Sequence, residues 1–149
     1  MTGGNKIIYL LAPIELIANG YYLIKIKIIK METTENAKVF IANADIPWHE
    51  MAKGVRRKVM AYDEKLMLVK VAFKAGGIGA LHQHYHTQMA HVESGVFQVE
   101  IGKEKKILAA GHAFYIPSNV MHSVICIEAG VLIDSFSPAR EDFITAKEV

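Results

Sequence analysis

Three of the seven histidines fall within five residues, at His82, His84 and His86. Imidazole is a preferred ligand of zinc, copper, iron and nickel, so a His-x-His pair first raises the question of a metal. On a strand, residues two apart face the same side, which would let His82 and His84 converge on one point. Gln88 has the same parity and can offer a side-chain oxygen there. A fourth ligand has to come from another strand, and His122 follows the turn signal Pro117-Ser118-Asn119. The competing reading is a set of surface or hydrogen-bonded histidines, and spacing alone leaves both open. His86 is expected at the pocket rim or in support of the ligands. His91, of opposite parity, is expected to face elsewhere, and His49 and His112 have no partner pattern.

The elements that must position these residues read as short strands with turn signals between them. Strands are expected over 39–41, 55–60 and 66–73, with a helical turn over 48–53. A loop at 76–79 precedes a long polar strand or bent pair over 81–93. Residues 95–101 and 105–108 read as a hairpin about Gly102-Lys103. Strands over 111–116, 120–127 and 131–136 complete the series, the last two separated by Ala129-Gly130. Many short strands with no long helix argue for an all-β barrel or sandwich.

Bulk properties set the limits. The chain has 149 residues, 52% apolar and 21% charged, enough for one globular core. Its single cysteine, Cys126, cannot staple the fold and gives no reason to invoke an oxidising compartment, so a cytoplasmic setting is expected. The net charge of +2 is unevenly spread: residues 1–30 carry +3 and the remainder −1, which gives no electrostatic case for nucleic acid.

Residues 1–36 read as an extension to a domain over 37–149. Its apolar runs, Ile7–Leu11 and Tyr21–Ile24, are interrupted by Pro13, Glu15, Asn19 and Gly20, a poor pattern for a spanning helix. As a signal peptide its charge falls on the wrong side, at Lys25, Lys27 and Lys30. An added strand pair, a weak membrane-surface anchor, and a segment foreign to the natural fold (Met31 opening a polar stretch) are the three readings.

The glycine and proline punctuation around the histidines resembles the cupin superfamily. Gly76, His82, His84, Gln88 and Gly95 stand at the spacings of its first motif, and Gly111, Pro117, Asn119, His122 and Cys126 follow its second. Asn119 replaces a glycine but can adopt the same left-handed turn. Gln88 stands where Glu usually ligates. Within the superfamily, residues about 39–143 resemble the KdgF family of small cupins, through Arg57-Lys58-Val59, Leu66–Val71, the run His82–Gln88, Glu104–Leu108 and Val131–Phe143.

The resemblance implies a small single-domain jelly-roll β-barrel holding one divalent transition metal (nickel, zinc, iron, manganese or copper) on His82, His84, Gln88 and His122. It also implies an enzyme that converts 4,5-unsaturated monouronates from pectin or alginate to linear keto forms, with Asp134, Phe136 and Arg140 as its acting residues. A small-molecule uronate and a second copy of the chain, as homodimer, are the implied partners, with no membrane. The residues themselves are compatible with this. Asp134 and Phe136 share strand parity. Arg140 offers a planar fork to a carboxylate. A neutral Gln ligand leaves the ion's charge whole, unlike the 2-His-1-carboxylate set of many iron oxygenases. The alternatives on the same fold are a metal-dependent dioxygenase and a non-catalytic sugar-binding cupin.

Overall fold

A computed structural model of the protein describes residues 7–11, 15–17, 21–23, 26–30 and 39–145. Two compact units divide the chain, residues 1–39 and 40–149. In the first, β1 (Ile7–Leu11) pairs antiparallel with β4 (Ile26–Lys30), and β2 (Glu15–Ile17) with β3 (Tyr21–Leu23). Among the described residues no helix is long and apolar enough to cross a membrane.

The second unit is one antiparallel sheet folded on itself as a jelly roll. Its strands are β5 (His49–Ala52), β6 (Val55–Tyr62), β7 (Met67–Phe73), β8 (Ile78–His82), β9 (Thr87–Ile101), β10 (Glu104–Ala109), β11 (Ala113–Ile116) and β12 (His122–Ser137). A short helix, α1 (Glu141–Thr145), closes the described chain. The long strands β9 and β12 pair along most of their length. The first half of β9 takes β11 as its other neighbour and the second half takes β10. Similarly, β12 pairs with β8 early and with β7 late. Both strands thus pass from one layer to the other.

They do so at one place. Register shifts on β12 lie between Cys126 and Leu132, opposite Ser94 and Val96. Buried positions on β9 change parity there, from Gln88, Ala90 and Val92 to Phe97 and Val99, as an inserted bulge residue requires. A Cβ on Gly130 would lie 2.0 Å from the Ser94 carbonyl oxygen, so only glycine lets the backbones approach this closely. The Ala129-Gly130 pair is therefore a bulge within one strand and not the strand break expected from sequence.

Three other expectations fail. Residues 39 and 40 form a bend and not a strand, strand β8 begins at Ile78 inside the loop expected over 76–79, where it pairs with β12, and 48–53 contain strand β5 in place of a helical turn. The pull comes from β6: Arg57 and Arg56 pair with His49 and Glu50, and the Arg56 and Lys58 cations lie 4.8 and 4.5 Å from the centre of the Trp48 ring. Lys58 is buried beneath this segment and donates to the Asn43 carbonyl at 2.7 Å. The apolar core gathers Val55, Phe73, Val92, Phe97, Val99, Cys126 and Leu132, with Phe73 and Phe97 edge to face at 5.4 Å. A second cluster of Met67, Val69, Phe136 and Ala139 continues it towards α1.

Candidate metal centre

His82 ends β8, and His122 begins β12 directly opposite it in the ladder, with ring centres 4.2 Å apart. His84 lies between β8 and β9, outside any strand, so strand parity does not aim it. The loop is held instead by the turn before β12. The Asn119 amide donates to the His84 carbonyl at 2.8 Å, and Ser118 Oγ donates to the Tyr85 carbonyl. Asn119 makes this turn at φ 60°, the left-handed conformation expected of it. The second motif thus clamps the loop of the first.

The ligand atoms offered by His82, His84 and His122 all lie within 4.8 Å of one another. Each ring's Nδ1 faces a backbone carbonyl: Ala80 at 2.7 Å, His86 at 2.9 Å and Val120 at 2.8 Å. A carbonyl only accepts, so each Nδ1 carries a hydrogen and Nε2 is the atom left to face a ligand. Backbone orientation of this kind is how metal-binding histidines are commonly fixed. His122 Nε2 is buried without a hydrogen-bond partner. Burial pushes its imidazole down to about 4, with the neighbouring rings and Arg140 adding to the shift. Burial lowers His84 as well, reinforced by Arg140.

Gln88, on β9, offers a fourth donor atom, an oxygen. Its amide donates towards Asp134, which turns Oε1 to within 3.1 Å of His84 Nε2. Three imidazole nitrogens and an amide carbonyl oxygen are a donor set that a divalent cation fits.

Asp134 and Phe136 lie on β12, both buried and both lining the same cavity of about 320 Å³ as His82, Gln88, His122 and Arg140. Phe136 stands edge-on to His84 at 5.7 Å. Asp134 Oδ1 has no partner, and burial pushes the carboxyl up to about 7 against the opposing pull of Gln88 and Arg140. Arg140 lies just before α1. Asp142 binds it through Nε at 2.9 Å and Nη2 at 2.7 Å, leaving Nη1 and the second Nη2 hydrogen free. Asp142 is held below the ordinary carboxylate value, chiefly by these bonds.

His86 is buried and off the cluster. Its carbonyl orients His84, and its Nε2 meets Glu141 of α1 at 3.3 Å, where Tyr85 also donates at 3.1 Å. His91 is exposed, as its parity predicts. Sequence reasoning missed Arg57 and Phe143, which also line the cavity. Arg57 shares strand parity with buried Val55, and that signal was available.

Residues 69–135 match the family described as Cupin domain. The pectin degradation protein KdgF of Dickeya dadantii is 43% identical over 107 residues, which span 70% of this chain and 97% of that protein. The chain is a cupin of the KdgF family. The crystal structure of an RmlC-like cupin from Shewanella frigidimarina agrees with this cupin at a TM-score of 0.70 and 36% identity, covering 72% of this chain and 96% of that one. The structure of KdgF from Halomonas sp. agrees at 0.69 and 38%, covering 71% and 98%.

Proposed function

We propose that this cupin opens 4,5-unsaturated monouronates, the end products of pectin or alginate lyase action, to their linear keto forms. The relationship to a pectin degradation protein supports a pectin-derived substrate. The observation that carries the reading is Asp134, a buried carboxyl with an unpartnered oxygen, in the wall that also holds His82, His122 and Arg140. A divalent ion on His82, His84, His122 and Gln88 would supply a Lewis acid able to polarise an oxygen of an anionic sugar.

The protein's own groups account for the rest. Arg140, oriented by Asp142, presents its free end-on edge to the substrate carboxylate. Asp134 gives a proton to C4 of the cyclic enol ether as water oxygen bonds to C5. It regains a proton from that water, which leaves a hydroxyl on C5. The C5–ring-oxygen bond then breaks, the hydroxyl becomes the C5 ketone, and its proton passes to the oxygen left on C1. Acid–base assistance of this kind contributes roughly 10²–10⁴-fold, and positioning in the cavity adds to it. Phe136 bounds the space beside His84 and limits where the ring can lie.

The test is the ultraviolet absorbance of the conjugated double bond, followed for unsaturated galacturonate and unsaturated mannuronate with and without chelator. Chelator-sensitive loss of absorbance with no oxygen uptake is expected. Metal-loaded protein that leaves both substrates intact would sink the reading.

A further inference from the structure

The cavity's charge balance is incomplete. Arg57 on β6 and Arg140 beside α1 enter it from different parts of the chain and meet on one ring. The Arg57 guanidinium carbon lies 3.5 Å from the Phe143 ring centre and that of Arg140 4.3 Å, so the two cations are within about 8 Å of each other. Asp142 binds Arg140 by two hydrogen bonds. The other carboxylate on that turn, Glu141, is drawn to Tyr85 and His86. Among the described residues no carboxylate pairs with Arg57 as Asp142 does with Arg140. Asp142 exerts only a longer-range pull on Arg57, and the cavity's own carboxyl, Asp134, is pushed towards its neutral form by burial.

Arg57 is also half-buried, and loss of water is the main influence on its charge. A guanidinium remains protonated in such a setting, so the cost of its desolvation stands until an anion arrives. Its ladder partner Val71 and its same-face neighbour Val55 are apolar and offer none. We propose that Arg57 is a substrate-binding residue that takes the carboxylate of a sugar acid, with the free edge of Arg140 as the second donor to the same group. This rests on the uronate reading above and deepens it. In a 4,5-unsaturated uronate the carboxylate carbon is bonded to C5, so a grip on it fixes the reacting double bond one bond away. The specificity that follows is for the free acid over its ester.

The experiment compares wild type, Arg57→Met and Arg57→Lys, each metal-loaded and full length, on unsaturated galacturonate and its methyl ester. In Arg57→Met, KM for the acid should rise about tenfold or more, the usual scale for a lost charged hydrogen bond. Its KM for the ester should change far less than its KM for the acid, and Arg57→Lys should recover part of the loss. An equal effect on acid and ester, or none on either, overturns the proposal. Metal content and melting temperature establish that each variant is folded. Should wild type turn over neither substrate, the functional reading fails separately, and calorimetric titration with saturated galacturonate decides Arg57. Binding abolished by Arg57→Met would uphold the role. Binding unchanged by it, or absent from wild type, would overturn it.

Discussion

Gln88 Oε1 lies 3.1 Å from His84 Nε2, and neither atom has a hydrogen to give the other while Nδ1 serves the His86 carbonyl. Two acceptors at hydrogen-bond distance repel unless a cation joins them. Gln88→Glu supplies an anionic ligand but removes the amide that donates towards Asp134. The variant should bind metal more tightly and turn over substrate at least about tenfold more slowly, a loss on the scale of one misplaced acid–base group. Metal competition with a chromophoric chelator and steady-state kinetics check the two halves.

Metal should stabilise the fold. Ligands that bind only the native state add about 2.7 kcal/mol at a hundredfold excess over Kd. Melting temperature should rise when metal is added to chelated wild type. It should rise far less in His122→Ala, which loses a buried ligand atom at the head of β12.

Asp134→Asn keeps shape and burial but cannot give a proton. Turnover should fall by roughly 10²–10⁴-fold while metal content stays at wild-type level. Wild-type turnover by this variant would remove Asp134 from the chemistry.

Asp142 has its folded value depressed below 3.8, chiefly by Arg140. A depressed carboxylate contributes fully above its unfolded value and loses that contribution as pH falls through the folded one. Arg140 should therefore stay oriented at all pH values above about 4. Below that, KM should climb. Asp142→Asn should show a KM raised a few-fold at neutral pH, with kcat little changed and no further climb in acid.

Gly130→Ala would place a Cβ 2.0 Å from the Ser94 oxygen and 2.6 Å from Gly95 Cα, contacts that only backbone movement can relieve. Overpacking of this severity costs about 3 kcal/mol, and thermal denaturation should show a melting temperature lower by ten degrees or more.

The clustering of His82, His84 and His122 was legible in the sequence, although not for the reason the spacing suggested. Parity places Gln88, Asp134 and Phe136 correctly because they are on strands. His84 arrives by another route, a loop pinned by Asn119 and Ser118, which lie 33 or more residues further along. Strand β5 was hidden because its identity depends on β6, through Trp48 and its two cations, and not on its own residues. Arg57 was passed over because an arginine on a strand reads as surface. Only the fold brings it to Phe143.

The three imidazoles come from the end of β8, the loop after it and the head of β12, whereas Arg140 and Phe143 lie just before and within α1, tied back by Glu141 to Tyr85 and His86. Ion capture and charge recognition are thus written in separate stretches of sequence. A lineage could rewrite residues 140–145 and acquire a taste for a different sugar acid while its metal chemistry remained unaltered.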